Sequence, residues 1–205
     1  MRYLLSSSCL IVLLGCASVY KSLQPVTGTI RDIQKFKPAF SVALYQANID
    51  VVGNHLSGLL LIKRMPDSSM RLVFSNEIGF KFFDFEFAKD GAFKAYSIMK
   101  QMDKKPVIKT LRKDFELLIM ENLDSTTMQV RRDSNLVYYT FPQSSGYYHY
   151  ITNIAGDSLV RMERASKRKP VVRVIAQNYV NGIPDTVGFT HTKFDFTIGL
   201  KRLER

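Results

Sequence analysis

The chain has 205 residues, 46% of them hydrophobic, and a formal net charge of +11 at pH 7. A chain of this length and composition can fold as one domain with a full hydrophobic core. It is neither too short nor too polar to fold alone. A basic balance favours anionic partners, such as lipid headgroups or nucleic acid.

The amino-terminal residues have the order of an export leader. Arg2 gives a positive start, a mostly apolar stretch runs from Leu4 to Leu14, and Gly15-Cys16 follows. The stretch is about half of the roughly 20 residues that a spanning helix needs. The segment resembles the lipobox of bacterial lipoproteins, so we predict a signal peptide over residues 1–15 and lipidation of Cys16. The alternatives are a plain secretory signal and a buried N-terminal strand.

Export and lipid anchoring would limit the partners that the positively charged chain can bind. Export argues against nucleic acid and leaves a membrane surface, or simple solubility, as the reason for the charge. Cys9 would leave with the signal, and a lipidated Cys16 would leave the mature chain without a disulfide. We expect a monomer in the cell envelope, anchored to the outer membrane and facing the periplasm.

Residues 16–38 have no clear hydrophobic period, and we predict a lipidated N-terminus and tether there, followed by a β domain over residues 39–205. Alternating apolar residues and turn signals predict five strands before residue 100 and six after residue 135. The predicted strands are Ser41–Val52, His55–Lys63, Met70–Ser75, Phe80–Phe87, Ala92–Ile98, Leu136–Phe141, Tyr147–Thr152, Ser158–Arg164, Val171–Tyr179, one from about Thr186, and one over Phe194–Leu200.

One amphipathic helix interrupts the strands. Asp103 is a suitable N-cap and Pro106 suits the first turn. The helix is predicted to end near Leu123. Within it, apolar residues recur at helical spacing on one face. They are Val107, Ile108, Leu111, Phe115, Leu118 and Ile119.

A sheet of this size is expected to curl, and a single helix cannot cover it as a flat layer. We therefore predict an α+β fold that is mainly antiparallel β. Its form would be a curved, open half-barrel of about 10–11 strands, with the helix covering its open side.

Residues that could carry chemistry are sparse. The three histidines lie far apart in the sequence, none with metal-type spacing to Cys, Asp or Glu, and no nucleophile or phosphate-loop motif is present. Asp84 and Glu86 share a strand face and could form a carboxylate pair, or be two solvated side chains. We predict no enzyme activity, no catalytic residue, no cofactor and no metal.

Aromatic and aliphatic residues occur on both faces of the predicted strands. Such a pattern fits an ordinary two-sided core, or a curved sheet that encloses an apolar cavity for acyl chains. The residues predicted to line that cavity are Leu60, Ile62, Phe83, Phe85, Phe87, Leu111 and Phe115.

Two loops are predicted to contact a membrane. Ile78 lies beside a glycine between two strands, where it could form an exposed apolar finger or fold into the core. Lys167, Arg168 and Lys169 form a basic hairpin tip, which could meet anionic lipid or serve only solubility.

The run from Leu56 to Leu60, the segment from Asn76 to Phe87 and the helix Val107–Leu123 are similar to those of small lipoproteins of the LolA/LolB-like superfamily. This resemblance implies an open antiparallel half-barrel with helix cover over a cavity that takes acyl chains. It also implies an apolar residue on a protruding loop, with which Ile78 aligns loosely. The implied function is a membrane-anchored carrier or acceptor of lipid or lipoprotein acyl chains. The alternatives are an assembly lipoprotein that docks to an envelope protein and a lipid-modifying enzyme.

Overall fold

A computed structural model of the chain describes residues 18–51 and 53–203. The predicted signal peptide and Cys16 lie outside the described residues. The described elements are β1 (Gln24–Pro25), α1 (Arg31–Gln34), β2 (Val42–Val51), β3 (Asn54–Arg64), β4 (Met70–Ser75), β5 (Lys81–Phe87), β6 (Phe93–Ile98), α2 (Lys105–Ile119), β7 (Gln129–Arg132), β8 (Leu136–Pro142), β9 (Tyr147–Asn153), β10 (Leu159–Ala165), β11 (Pro170–Val180), β12 (Ile183–His191) and β13 (Phe196–Arg202).

The thirteen described strands form one antiparallel sheet in the order β1-β7-β8-β9-β10-β11-β12-β13-β2-β3-β4-β5-β6. The sheet does not close, because β1 and β6 are its two edges. The prediction of a mainly antiparallel open sheet with one main helix is confirmed. The strand number exceeds the prediction by β1 and β7, which are short and bury few side chains, so their alternation is hard to read in the sequence.

The sheet curves around α2. Phe115 of α2 contacts Phe83 of β5 and Phe189 of β12, with ring centroids 5.9 and 5.7 Å apart. β5 and β12 are five strands apart in the sheet order, which in a flat sheet would be roughly 24 Å. A helix is only about 10 Å wide, so strands this distant reach it only where the sheet curves.

Helix α2 also connects the two edges of the sheet, because it follows β6 and leads to β7, the neighbour of β1. It begins after Lys104 rather than Asp103, and it ends at Ile119 rather than Leu123. The early end has a backbone cause, since Met120 and Asn122 both adopt positive φ, which a right-handed helix does not allow.

Residues 18–38 lie against the sheet. Ile33 is fully buried in the core, and Leu23 packs with Tyr138 and Ile151 in a smaller cluster. The backbone N–H of Ala39 donates to the carbonyl of Gly182, which holds the end of this segment beside the β11–β12 turn. Single apolar residues, spaced without a period, make these contacts, so the sequence pattern did not indicate them.

Candidate functional site

An open apolar groove of about 490 Å³ lies between the first half of α2 and the adjoining ends of β2, β3 and β13. Ligand pockets of proteins are typically 300–1,000 Å³ and mostly apolar, so the groove has the size and lining of a binding site. Its apolar lining includes Ile49, Val51, Leu56, Val107, Leu111 and Phe196. Asn54, Gln101, Lys104 and Thr110 supply the polar lining.

The loop between β12 and β13 completes the groove. Strand β13 begins at Phe196, whereas the alternating pattern predicted a strand from Phe194. Phe194 therefore lies in the loop, 44% exposed, and its ring stacks on Phe196 with centroids 5.9 Å apart. An aromatic side chain held this far out of the core offers apolar surface to a ligand.

The residues predicted to line an acyl-chain cavity are distributed differently. Leu111 lines the groove, and Phe87 lines a separate depression of about 180 Å³ near the end of α2. The others lie in the core, each at most 1% exposed, and that they contact a ligand stays a prediction. They are Leu60, Ile62, Phe83, Phe85 and Phe115. Sequence reasoning missed Leu56, Val107, Phe194 and Phe196 as groove residues.

A buried polar cluster lies beside the groove, where Asp114 of α2 is fully buried. Its Oδ2 is 2.8 Å from Nε2 of His191, and its Oδ1 accepts a hydrogen bond of 3.1 Å from Arg164. The His191 ring stacks on Phe196 at a centroid distance of 4.4 Å. The cluster thus ties α2 to β10 and β12 and supports one wall of the groove.

The carboxylates of Asp84 and Glu86 are both paired on the outer face of the sheet. Arg71 donates to each of them, and Lys81 donates a second hydrogen bond to Asp84. Burial raises the pKa of Asp84, but the hydrogen bonds and charges of Arg71 and Lys81 outweigh it and hold the pKa below its usual range. A carboxylate held ionised by two cations is a poor general acid.

Ile78 is 90% exposed at the tip of the β4–β5 turn. The N–H of Phe80 donates to the side chain of Asn76, and Asn76 donates its own N–H to the Phe80 carbonyl. Gly79 adopts a φ of +89°, which favours glycine and closes the turn. Ile78 therefore projects from an ordered turn, and its contact with a membrane stays a prediction.

The basic hairpin tip, residues 166–169, joins β10 to β11. Lys167, Arg168 and Lys169 are all exposed, and none forms an ion pair with a described residue. The hydroxyl of Ser166 accepts hydrogen bonds from the N–H groups of Arg168 and Lys169, which orders the tip. Three cations are thus presented to solvent on an ordered turn.

His149 of β9 is buried, and its Nδ1 lies 2.8 Å from the Thr140 hydroxyl, while the Tyr20 ring packs 4.5 Å away. Burial lowers the pKa of His149 to about 4, although the Glu163 carboxylate opposes this. The unfolded chain, with a histidine pKa of about 6.5, therefore binds a proton between these values that the folded chain does not.

Stability is accordingly expected to decrease as pH falls from 7 to 5, by about 2 kcal/mol from His149. Urea denaturation at both pH values measures the change. His149→Gln should remove it, and His55→Gln, at an exposed histidine, is the matched control. A decrease of the same size in the His149→Gln chain would assign the pH dependence to another group.

Within the described part of the chain, no group of three or more His, Cys, Asp or Glu side chains is placed to hold a metal ion. In the same residues, no helix is long and apolar enough to cross a membrane.

No protein-family model matches the sequence, and a search of curated proteins finds no match. A LolA superfamily protein from Nitrosomonas europaea has a TM-score of 0.50 at 7% identity, over 87% of this chain and 93% of that one. A DUF1329 family protein from Desulfovibrio piger has a TM-score of 0.45 at 12% identity, over 85% and 88%. A domain described as a putative outer membrane lipoprotein-sorting protein from Vibrio parahaemolyticus has 0.47 at 10%, over 86% and 90%. The chain has a LolA/LolB-like fold.

Proposed function

We propose that this protein is an envelope lipoprotein, anchored through Cys16, that binds an acyl chain of a lipid or lipoprotein in the groove beside α2. The observation that carries the proposal is the groove itself, which is apolar, of ligand size and placed between the helix and the curved sheet. The LolA/LolB-like fold and the lipobox-like leader support it. The proposed setting is the outer membrane, facing the periplasm.

The lining of the groove suits an amphipathic ligand. Val107 and Leu111 of α2 face strand residues such as Leu56, and this apolar surface would take a hydrocarbon chain. Lys104 lies at the N-terminal end of α2, where its ammonium group and the positive end of the helix favour an anion. The groove would therefore hold the chain of a lipid and leave its acidic headgroup at Lys104.

Filling the groove tests the proposal. Val107→Trp is expected to weaken binding of a fluorescent fatty acid about 10-fold, since displacing about two buried methylenes removes that much free energy. Lys109→Trp, on the exposed face of the same helix, is the matched control and should bind like the unmodified chain. Mass spectrometry of lipids that copurify with each chain gives a second measurement. Equal binding by the two variants would contradict the groove as the site.

The anchor is tested separately. Mass spectrometry of the amino-terminal peptide from cells is expected to show an acylated Cys16, and Cys16→Ser should move the protein from the membrane fraction to the soluble fraction. An unmodified Cys16 in membrane-bound protein would contradict anchoring without affecting the groove.

An alternative function is docking to an envelope protein through the sheet edge. β6 is an edge strand whose residues are mostly exposed, including Tyr96 at 47%. An exposed edge can accept a strand from a partner. A crosslink from Tyr96 to one envelope protein in cells, with no acyl ligand bound, would favour this alternative.

A further inference from the structure

The basic hairpin tip, residues 166–169, lies beside the loop that completes the groove. β11 and β12 pair antiparallel, so the residues before β11 and those after β12 meet at one edge of the sheet. Thr192 donates its N–H to the Val171 carbonyl, and its hydroxyl donates to the Pro170 carbonyl at 2.8 Å, next to the tip. Phe194 of the same loop lines the groove, so the tip and the groove are neighbours.

The tip and the neighbouring loop carry an excess of positive charge. Residues 166–169 and 192–195 contain four basic residues and one acidic residue: Lys167, Arg168, Lys169 and Lys193 against Asp195. These two loops are the basic end of the sheet.

The amino-terminal segment is fixed to the basic end. The Ser18 hydroxyl donates to the Lys167 carbonyl at 2.9 Å, and the Val19 N–H donates to the Arg168 carbonyl at 2.9 Å. The next residue, Tyr20, donates its hydroxyl to the buried Glu163 at 2.7 Å. Ser18 follows Cys16 by two positions in the sequence, so a lipid anchor on Cys16 would hold the hairpin tip near the bilayer.

We propose that the basic end of the sheet docks on a bilayer rich in anionic phospholipid, with the hairpin tip 166–169 among the headgroups and the groove opening towards the membrane. The anchor at Cys16 rests on the proposed function. The docking surface rests on the charge of the two described loops and on the contacts of Ser18 and Val19.

Vesicle binding tests the surface. The full chain carrying Cys16→Ser is mixed with phosphatidylcholine vesicles that contain or lack phosphatidylglycerol. Replacing Lys167, Arg168 and Lys169 by Gln is expected to weaken binding to the anionic vesicles roughly 100-fold, at about 1 kcal/mol per cation. The matched control, Lys35→Gln with Lys89→Gln and Lys201→Gln, removes the same charge from exposed positions outside the basic end and should change binding less than a few-fold. Equal losses in the two variants would overturn the proposal, because net charge alone would then explain binding.

Hydrogen exchange of the unmodified chain on bilayer nanodiscs tests the orientation. Protection is expected at residues 166–169 and 192–195 on anionic nanodiscs, and not at residues 88–92 or 154–158. Protection at residues 88–92 or 154–158, or the same pattern on nanodiscs of phosphatidylcholine alone, would overturn the inference. Fatty-acid binding with an unprotected hairpin tip would overturn it and leave the proposed function standing. A protected tip in a chain that binds no fatty acid would do the reverse.

Discussion

Phe115→Ala is expected to lower the free energy of unfolding by about 4 kcal/mol, the middle of the range for removing a buried phenylalanine ring. Phe115 is 1% exposed and contacts aromatic rings from two distant strands, so no neighbour can close the space alone. Chemical denaturation of the purified chain measures the change. The substitution also tests whether Phe115 lies in a packed core or lines a cavity, because truncating a residue that lines an empty cavity removes fewer packing contacts.

Phe194→Ala is the matched control for this substitution. Phe194 is 44% exposed in the loop that completes the groove, so its loss should reduce stability by less than about 1 kcal/mol. It should nevertheless weaken fatty-acid binding, whereas Phe115→Ala acts mainly on stability. If Phe115→Ala changed stability by as little as Phe194→Ala, the interior around α2 would be a cavity and not a packed core.

Asp114→Ala is expected to lower the free energy of unfolding by about 3 kcal/mol, towards the lower end of the range for breaking a buried ion pair. The substitution leaves Arg164 and His191 without their shared acceptor. Arg164 keeps 19% of its side chain exposed, so part of its charge stays hydrated and the loss is moderate. Thermal and urea unfolding measure the effect.

Asp103→Ala, at an exposed carboxylate just before α2, is the matched control and should change stability by less than about 0.5 kcal/mol. Asp114→Leu combined with Arg164→Met removes both charges and should recover part of the loss, because apolar pairs often replace buried ion pairs without penalty. A double variant that is less stable than Asp114→Ala would show that the Asp114–Arg164 pair stabilises the fold by more than cancelling the two buried charges.

The strands before α2 were predictable because each alternates apolar and polar residues between clear turn signals. Observed β2, β4 and β5 differ from the predicted strands by one residue or less at either end. The helix was predictable from its apolar period, but its end was not, since a left-handed Met120 is a backbone conformation without a sequence signature. Short β1 and β7 carry too few buried side chains to show a period.

The site was less predictable than the fold. Leu56, Val107 and Phe194 line one groove although they are far apart in the chain. No local pattern joins them, because the juxtaposition depends on how β3, α2 and the β12–β13 loop meet. Leu111, which lies on the apolar face of the helix, lines this groove, and its contact with a ligand stays a prediction.

From the residue pattern alone we could predict which faces are apolar, where the chain turns, that one helix accompanies an antiparallel sheet, and where a basic hairpin tip lies. That Phe83 and Phe85 fill the core while Phe194 and Phe196 border open space became visible in the folded chain. The hydrophobic effect depends on the apolar area removed from water, whatever covers that area. A residue covered by another side chain and a residue covered by a ligand therefore give the same apolar pattern in the sequence. The position of the basic hairpin tip beside the groove is likewise a tertiary property, because contacts of Thr192 hold the β12–β13 loop against the start of β11.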